Sequence, residues 1–306
     1  MDKLGAHESQ LSNNRKLFLK DQKIHLKLAL FNHKRLEPKL PSLEWKNELD
    51  DELNMRVLEH KMLLKEISLI KPLMRDMPQT ANEFMDWFQE LIHKGPGQND
   101  LLFDWLEKKA NKDEMRWFIR QEIAGEAGFE DLTALTQVKM PAQPKLEFAR
   151  NYWDEMGRGH QAGMHGPMLV TLATELKITP PTPQEIMPEA AALGNIMIAL
   201  AFNRHYAYHS AGALGAIELT APRRSIKVYH GLKRLGLSSE AQRYYFLHSS
   251  MDIKHSESWN KEILMPLIQD NPALIPPIAE GALLRLNAGK RCFERYRYEL
   301  NVNGNE

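Results

Sequence analysis

A single cysteine, Cys292, stands in a chain of 306 residues. That scarcity excludes an internal disulfide, a thiolate zinc site and an iron-sulfur cluster, each of which needs several thiolates. Net charge is missing too. Lys plus Arg equal Asp plus Glu at 40 each, so no global field favours nucleic acid or an acidic surface. No stretch is long and apolar enough to span a bilayer, and the amino terminus has no uninterrupted apolar core of signal-peptide type. The expected location is therefore the reducing cytoplasm, and the expected partner a small molecule, with no nucleic acid and no membrane span. Period-two alternation long enough to build a sheet is absent as well.

What is present is an apolar fraction of 43%, enough for a proper core. From Leu43 onward apolar residues recur at three and four residue spacing. The breaks fall at Pro72 and Pro78, Gly95-Pro96-Gly97, Pro141 and Pro144, Pro180 to Pro183, Pro222 and Pro272. The pattern predicts an all-α protein of about eight helices joined by short loops. Residues 1–42 read as a basic, polar arm whose mixed run at 17–36 is closed by Pro38 and Pro41. This arm is expected to pack on its own domain or on the mate of a homodimer. Residues 43–306 read as a single helical domain, with the chemistry concentrated at about 112–270.

Polar groups recur where core helices should be apolar. In the stretch from Tyr244 to His255, positions His248, Asp252 and His255 fall within about 60 degrees of one another on an ideal helix. Trp259 continues that stripe. A second segment runs Asn151-Tyr152-Trp153-Asp154-Glu155-Met156-Gly157-Arg158-Gly159 and leads to His165, with His160 as a competing ligand. Each glycine within a helix costs about 1 kcal/mol relative to alanine, so a distorted turn or a helix end is expected there. Glu155 and His165 would diverge by about 80 degrees on a straight helix, so they share a site only if the backbone departs from one.

Glu218 ends a stripe of small residues, Ala207, Ala211 and Gly215, that leaves room either for a ligand or for a closely packed helix. His205 and His209 on the same stretch lack a carboxylate at helical spacing and read as packing residues. Glu122 and Glu126 lie one turn apart, where like charges cost roughly 0.2–0.5 kcal/mol in a bare helix unless a cation or a nearby arginine relieves them. Glu90 and His93 form a Glu-x-x-His pair, but His93 sits at a helix carboxyl end, where capping is the ordinary role.

The carboxylates Glu126, Glu155, Glu218 and Asp252 come from four helices, and burying them together unpaired would cost several kcal/mol each. Two divalent cations would balance them, with the neutral imidazoles of His165, His248 and His255 completing oxygen and nitrogen coordination. Such ligands suit iron or manganese, and two histidines with a carboxylate and vacant positions are the pattern of dioxygen-using ferrous sites. Zinc and magnesium also accept this set.

The order of these motifs resembles the heme-oxygenase-like di-iron oxidases, an iron-containing redox enzyme family. It comprises a Glu helix, Tyr-Trp-Asp-Glu-x-Gly-x-Gly leading to His, Gly-Ala-Ile-Glu, and His-x3-Asp-x2-His-Ser, spanning about Glu114 to Trp259. The resemblance implies a heme-oxygenase-like helical bundle with an N-terminal helical extension. It also implies two iron ions, or a manganese/iron pair, with dioxygen as co-substrate. The ligands carried over are Glu126, Glu155, His165, Glu218, His248, Asp252 and His255, with Glu122 or Glu130 as alternatives for the first helix. The activity implied is N-oxygenation or oxidative carbon-carbon cleavage of an amino-acid-like or fatty-acid-like molecule. Tyr152, Trp153, Tyr245 and Arg224 are candidates for substrate contacts or ligand support. The competing readings are a metal-free or organic-cofactor enzyme on the same bundle, of thiaminase-like or quinone-cofactor-synthesis type, and a non-catalytic helical binding protein.

Overall fold

The computed structural model describes residues 23–125, 128–179, 181–182 and 185–302. The chain runs through α1 (23–36), α2 (Trp45–Ile70), α3 (Ala81–Lys94), α4 (Leu101–Lys108), α5 (Lys112–Gly125), α6 (Phe129–Thr136) and α7 (Ala142–Glu155). It continues through α8 (His165–Glu175), α9 (Pro188–Phe202), α10 (Ala207–Arg234), α11 (Ser239–His248), α12 (Met251–Trp259), α13 (Met265–Asp270) and α14 (Ile275–Glu299). Among the described residues the only strand-like pairing is an isolated antiparallel bridge between Met156 and Met164.

Local chemistry sets the helix ends. Glu83 N–H donates to the Thr80 hydroxyl at 3.3 Å while Thr80 N–H donates to the Glu83 carboxylate at 3.1 Å, a reciprocal cap that opens α3. Ser238 and Asp100 accept from the first turns of α11 and α4 in the same manner. The helices are more numerous than the apolar period predicts because several long runs are interrupted. The stretch from Tyr244 to Trp259 is one such case. Ser249 and Ser250 turn their hydroxyls back onto the carbonyls of Phe246 and Leu247, at 2.7 and 3.3 Å, and compete with the helix for those acceptors. His248 therefore ends α11, and Asp252 lies in the first turn of α12.

The centre of the bundle is α10, which packs on α14, α4, α11, α12 and α9. Its small residues serve close packing. A Cβ on Gly212 would run into the backbone of Ile278, and one on Gly281 into the backbone of His209, so α10 and α14 meet main chain to main chain. Ala211 and Gly215 make room for the fully buried Trp259, whose indole N–H donates to the Ala211 carbonyl at 3.1 Å. The small-residue stripe thus accommodates helices and an indole rather than a ligand. Residues 23–36 lie against α9 and α2: Leu28 is fully buried, Asn32 donates to Asn195 at 2.9 Å, and Arg35 pairs with Glu59 at 2.6 Å.

The apolar core divides into two clusters. One gathers Phe84, Phe88, Phe148 and Trp259; the other gathers Phe103, Phe118, Phe293 and Tyr296. A cavity of about 150 Å³ lies at their seam, lined by Phe129 and Met197 from the first and Phe118 and Tyr245 from the second. Among the described residues no helix is long and apolar enough to cross a membrane.

Candidate metal centre

α7 delivers three polar side chains from its last turns. Asn151, Asp154 and Glu155 stand at i, i+3 and i+4 and so share one face. Glu155 is buried at the carboxyl end. The chain then reverses through two short 3-10 turns, Gly157–Gly159 and Gln161–Gly163, held by the Met156–Met164 bridge. Gly157, Arg158 and Gly159 all have positive φ, at 61°, 53° and 84°. A Cβ on Gly157 would stand 2.5 Å from the Gly163 carbonyl carbon, so only glycine fits that crossing. The reversal starts α8 with His165, whose Nε2 comes into direct contact with the Glu155 carboxylate. The glycines do end one helix and begin another, and that break is what closes the ten-residue gap.

α11 and α12 supply the opposing side. His248 Nδ1–H donates to the Tyr244 carbonyl at 2.5 Å. Since a carbonyl only accepts, the proton is on Nδ1 and Nε2 is a free lone pair. That Nε2 faces His165 Nε2 at 2.6 Å. Burial and the neighbouring His165 push His248 down to about 4, so its ring is neutral at pH 7. The Tyr244 ring packs against both imidazoles, 5.4 Å from His165 and 4.2 Å from His248 between centroids.

His255, on the next turn of α12, points its Nε2–H at Asp154 across 3.2 Å. Its other nitrogen, Nδ1, is buried, makes no hydrogen bond, and stands 3.4 Å from Glu155 and 3.6 Å from Glu218. Glu218 is buried on α10 and receives the Asn151 amide at 2.6 Å. Pro222, one turn later, lacks the N–H that would bond the Glu218 carbonyl, which loosens the helix at this point.

Two groups of donor atoms result, Glu155 with His165 and His248, and Glu155 with Glu218 and His255, each gathered within 4.8 Å. Asp252 is buried beside them and belongs to neither group. Burial, with the Glu218 and Glu155 carboxylates adding to it, holds its carboxyl proton well above the usual range. Burial also raises Glu155, against the pull of His248 and His255. Burial alone would depress His255, but the Glu218, Glu155 and Asp154 carboxylates more than offset it and hold the ring up at about 9.

This arrangement fits a metal ion. Three donor atoms crowd one point, and the buried His255 Nδ1 lies within ion-pair distance of two carboxylates without a well-formed hydrogen bond to either. Each histidine side also has an outer partner that fixes the ring, Tyr244 O for His248 and Asp154 for His255, as metal-ligating imidazoles require.

Glu126 lies outside the described residues. Of its two alternatives, Glu122 on α5 lines the cavity at the seam, and Glu130 on α6 has an oxygen 3.9 Å from His165 Nδ1. His160 is exposed on the outer side. His205 is exposed and His209 pairs with Glu280 at 3.1 Å, both away from the centre. His93 sits near the α3 end beside Arg223, at 3.3 Å. Tyr245 and Arg224 line the cavity, whereas Trp153 is largely exposed. Asn151 and Asp154 were not singled out from sequence as supports for Glu218 and His255. Their i, i+3, i+4 spacing with Glu155 is the signal that would have found them.

A second, more open space of about 580 Å³ lies on the other side of the cluster, lined by Asp154, Arg158, His160 and Arg243. Glu155, His165, His248 and Asp252 border both spaces. They form a partition between an outer cleft and an inner chamber.

The fold and this cluster together define an all-helical protein with a buried carboxylate and imidazole centre. A family profile described as iron-containing redox enzyme matches residues 116–290, which includes every candidate residue from Glu122 to His255. The chain belongs to that family, and its bundle is heme-oxygenase-like. No curated protein matches the chain. Among solved structures, the crystal structure of a CADD-like protein of unknown function from Nostoc punctiforme aligns with a TM-score of 0.54 at 17% identity, covering 74% of this chain and 98% of that one. That likeness is one of fold.

Proposed function

We propose that this chain is a dioxygen-dependent oxidoreductase whose buried cluster holds two iron ions. In this reading Glu155 is shared, His165 and His248 complete one site, Glu218 and His255 the other, and Asp252 and Glu126 add carboxylate oxygens. The observation that carries it is the pair of three-residue donor groups joined at Glu155, with His255 Nδ1 buried and unbonded between two carboxylates.

Bound there, ferrous iron would supply electrons and Lewis acidity for oxidising a small organic substrate, by N-oxygenation or carbon-carbon cleavage. The chain's own residues do the rest. The Tyr244 carbonyl holds the His248 proton on Nδ1, which leaves Nε2 as a donor atom directed at the site. Asp154 holds His255 through Nε2 and keeps Nδ1 turned inward. Asn151 occupies one oxygen of Glu218, leaving the other oriented to His255. Asp252, buried at the border between chamber and cleft, would turn its carboxylate to the iron. The apolar part of the inner chamber's wall, with Phe118, Phe129, Leu193 and Met197, would pack against the substrate.

The test is anaerobic ferrous loading of the full chain followed by elemental analysis and admission of dioxygen. About two irons per chain and consumption of dioxygen are expected. Absence of tightly held iron would overturn the proposal.

A further inference from the structure

The inner chamber contains a charge that the metal centre does not explain. Arg224 on α10 projects into it, together with Arg285 from α14. The Arg224 side chain is half-buried in the chamber wall. Burial and the neighbouring Arg285 push it down to about 9, against the attraction of Glu122 and Asp252. Those two carboxylates act on Arg224 only through space, for it makes no hydrogen bond or ion pair with any described residue.

What it does have are two aromatic faces, Phe293 with its ring centroid 5.4 Å from the guanidinium carbon and Phe103 at 5.9 Å. Rings offset part of the lost hydration but accept none of the five N–H donors. A half-buried guanidinium with unused donors, in a chamber whose wall includes Phe118, Phe129, Leu193 and Met197, is matched by a planar anion that arrives on an apolar carrier.

Arg224 lies six residues beyond Glu218 on the same helix, a rise of about 9 Å. An anion held at Arg224 is therefore held by a group separate from the metal donors, with Asp252 near enough to act on the guanidinium through space.

We infer that Arg224 is the residue that selects the substrate, by binding a carboxylate group of an otherwise apolar small molecule within the chamber. The assignment rests on the oxidase reading for its purpose, but it can be tested without iron. Selection by Arg224 is distinct from coordination of the carboxylate by a metal, because the first needs the guanidinium and the second needs iron.

The experiment measures binding of hexanoate, hexanamide and hexyl phosphate by calorimetry. It uses the full chain with and without iron, as wild type and as Arg224→Met and Arg224→Lys, with iron content recorded for each. Wild type should bind hexanoate at least about tenfold more tightly than hexanamide, about 1.4 kcal/mol, with iron present or absent. Arg224→Met should abolish that preference while retaining wild-type iron content, and Arg224→Lys should keep part of it. Tighter binding of hexyl phosphate than hexanoate would overturn the carboxylate assignment. So would a preference that requires iron and survives in Arg224→Met, since the anion would then sit on the metal. No binding of hexanoate at millimolar concentration would overturn it as well. Should Arg224→Met fail to fold, an unchanged preference in Arg224→Lys relative to a folded Arg224→Gln would do the same. Loss of iron binding with an intact, Arg224-dependent preference would sink the oxidase reading alone.

Discussion

His165 and His248, 83 positions apart in sequence, turn their Nε2 atoms toward each other across 2.6 Å, with Glu155 against the first of them. The His248 proton is committed to the Tyr244 carbonyl, so its Nε2 can only accept. A single proton on His165 cannot satisfy both the facing nitrogen and the Glu155 carboxylate well. A divalent cation between the three satisfies them all. Four predictions follow from this geometry and its surroundings.

Glu155 is the member common to both donor groups, so changing it should disable both. Glu155→Gln keeps the shape of the side chain and removes its charge. We expect iron content to fall from about two per chain to less than one, with helical content unchanged by circular dichroism. Retention of full loading would show that Glu155 is not shared.

Asp154 belongs to neither donor group and acts through its hydrogen bond with His255. Asp154→Asn should therefore weaken iron binding by about 10–100-fold, in the range found when outer partners of metal-bound imidazoles are changed, without altering the number of sites. A titration with a competing chelator reads both quantities.

The pH dependence follows from His255, whose pKa is held up at about 9 from an ordinary 6.5. In the metal-free chain its pairing with the surrounding carboxylates stabilises the fold fully below about pH 6.5 and is lost as the pH rises through about 9. Metal uptake runs the other way, because the proton on the imidazole must leave. Affinity should rise by about tenfold per pH unit between about 7 and 9 from this group, and proton release should be seen as a dependence of the calorimetric heat on buffer ionisation enthalpy. A flat profile over that range would count against His255 as a ligand.

Gly157 should tolerate no side chain. Its φ of 61° is strained for alanine, and the new Cβ would meet the Gly163 main chain at 2.5 Å. Gly157→Ala is expected to cost about 2 kcal/mol or more in chemical denaturation and to lower iron content, since the turn sets the contact between Glu155 and His165. Gly236, also at positive φ but with open space around it, is the control: Gly236→Ala should cost only the backbone strain, about 1–2 kcal/mol, and leave iron content untouched.

Much of the architecture was legible in the residues themselves. The three and four residue apolar period gives helices, and the proline and glycine breaks give most of their ends, because both signals are local and act within one or two turns. The helix count was less accessible. The split between α11 and α12 depends on two serine hydroxyls choosing the carbonyls of Phe246 and Leu247, a competition that composition does not rank.

The residue types of the candidate centre could also be read in advance, since His248, Asp252 and His255 repeat at helical spacing and Glu155 and His165 flank a glycine-rich turn. Their division into two groups around Glu155 could not, nor could the supports from Asn151 and Asp154, the partition between chamber and cleft, or the solitude of Arg224. The sequence by itself determined which groups are available and which stretch of chain carries each, because periodicity and backbone propensity are properties of neighbouring residues. Only the tertiary structure decided which of those groups face one another, because that depends on how α7, α8, α10, α11 and α12 cross, and a lone pair finds its partner through space rather than along the chain.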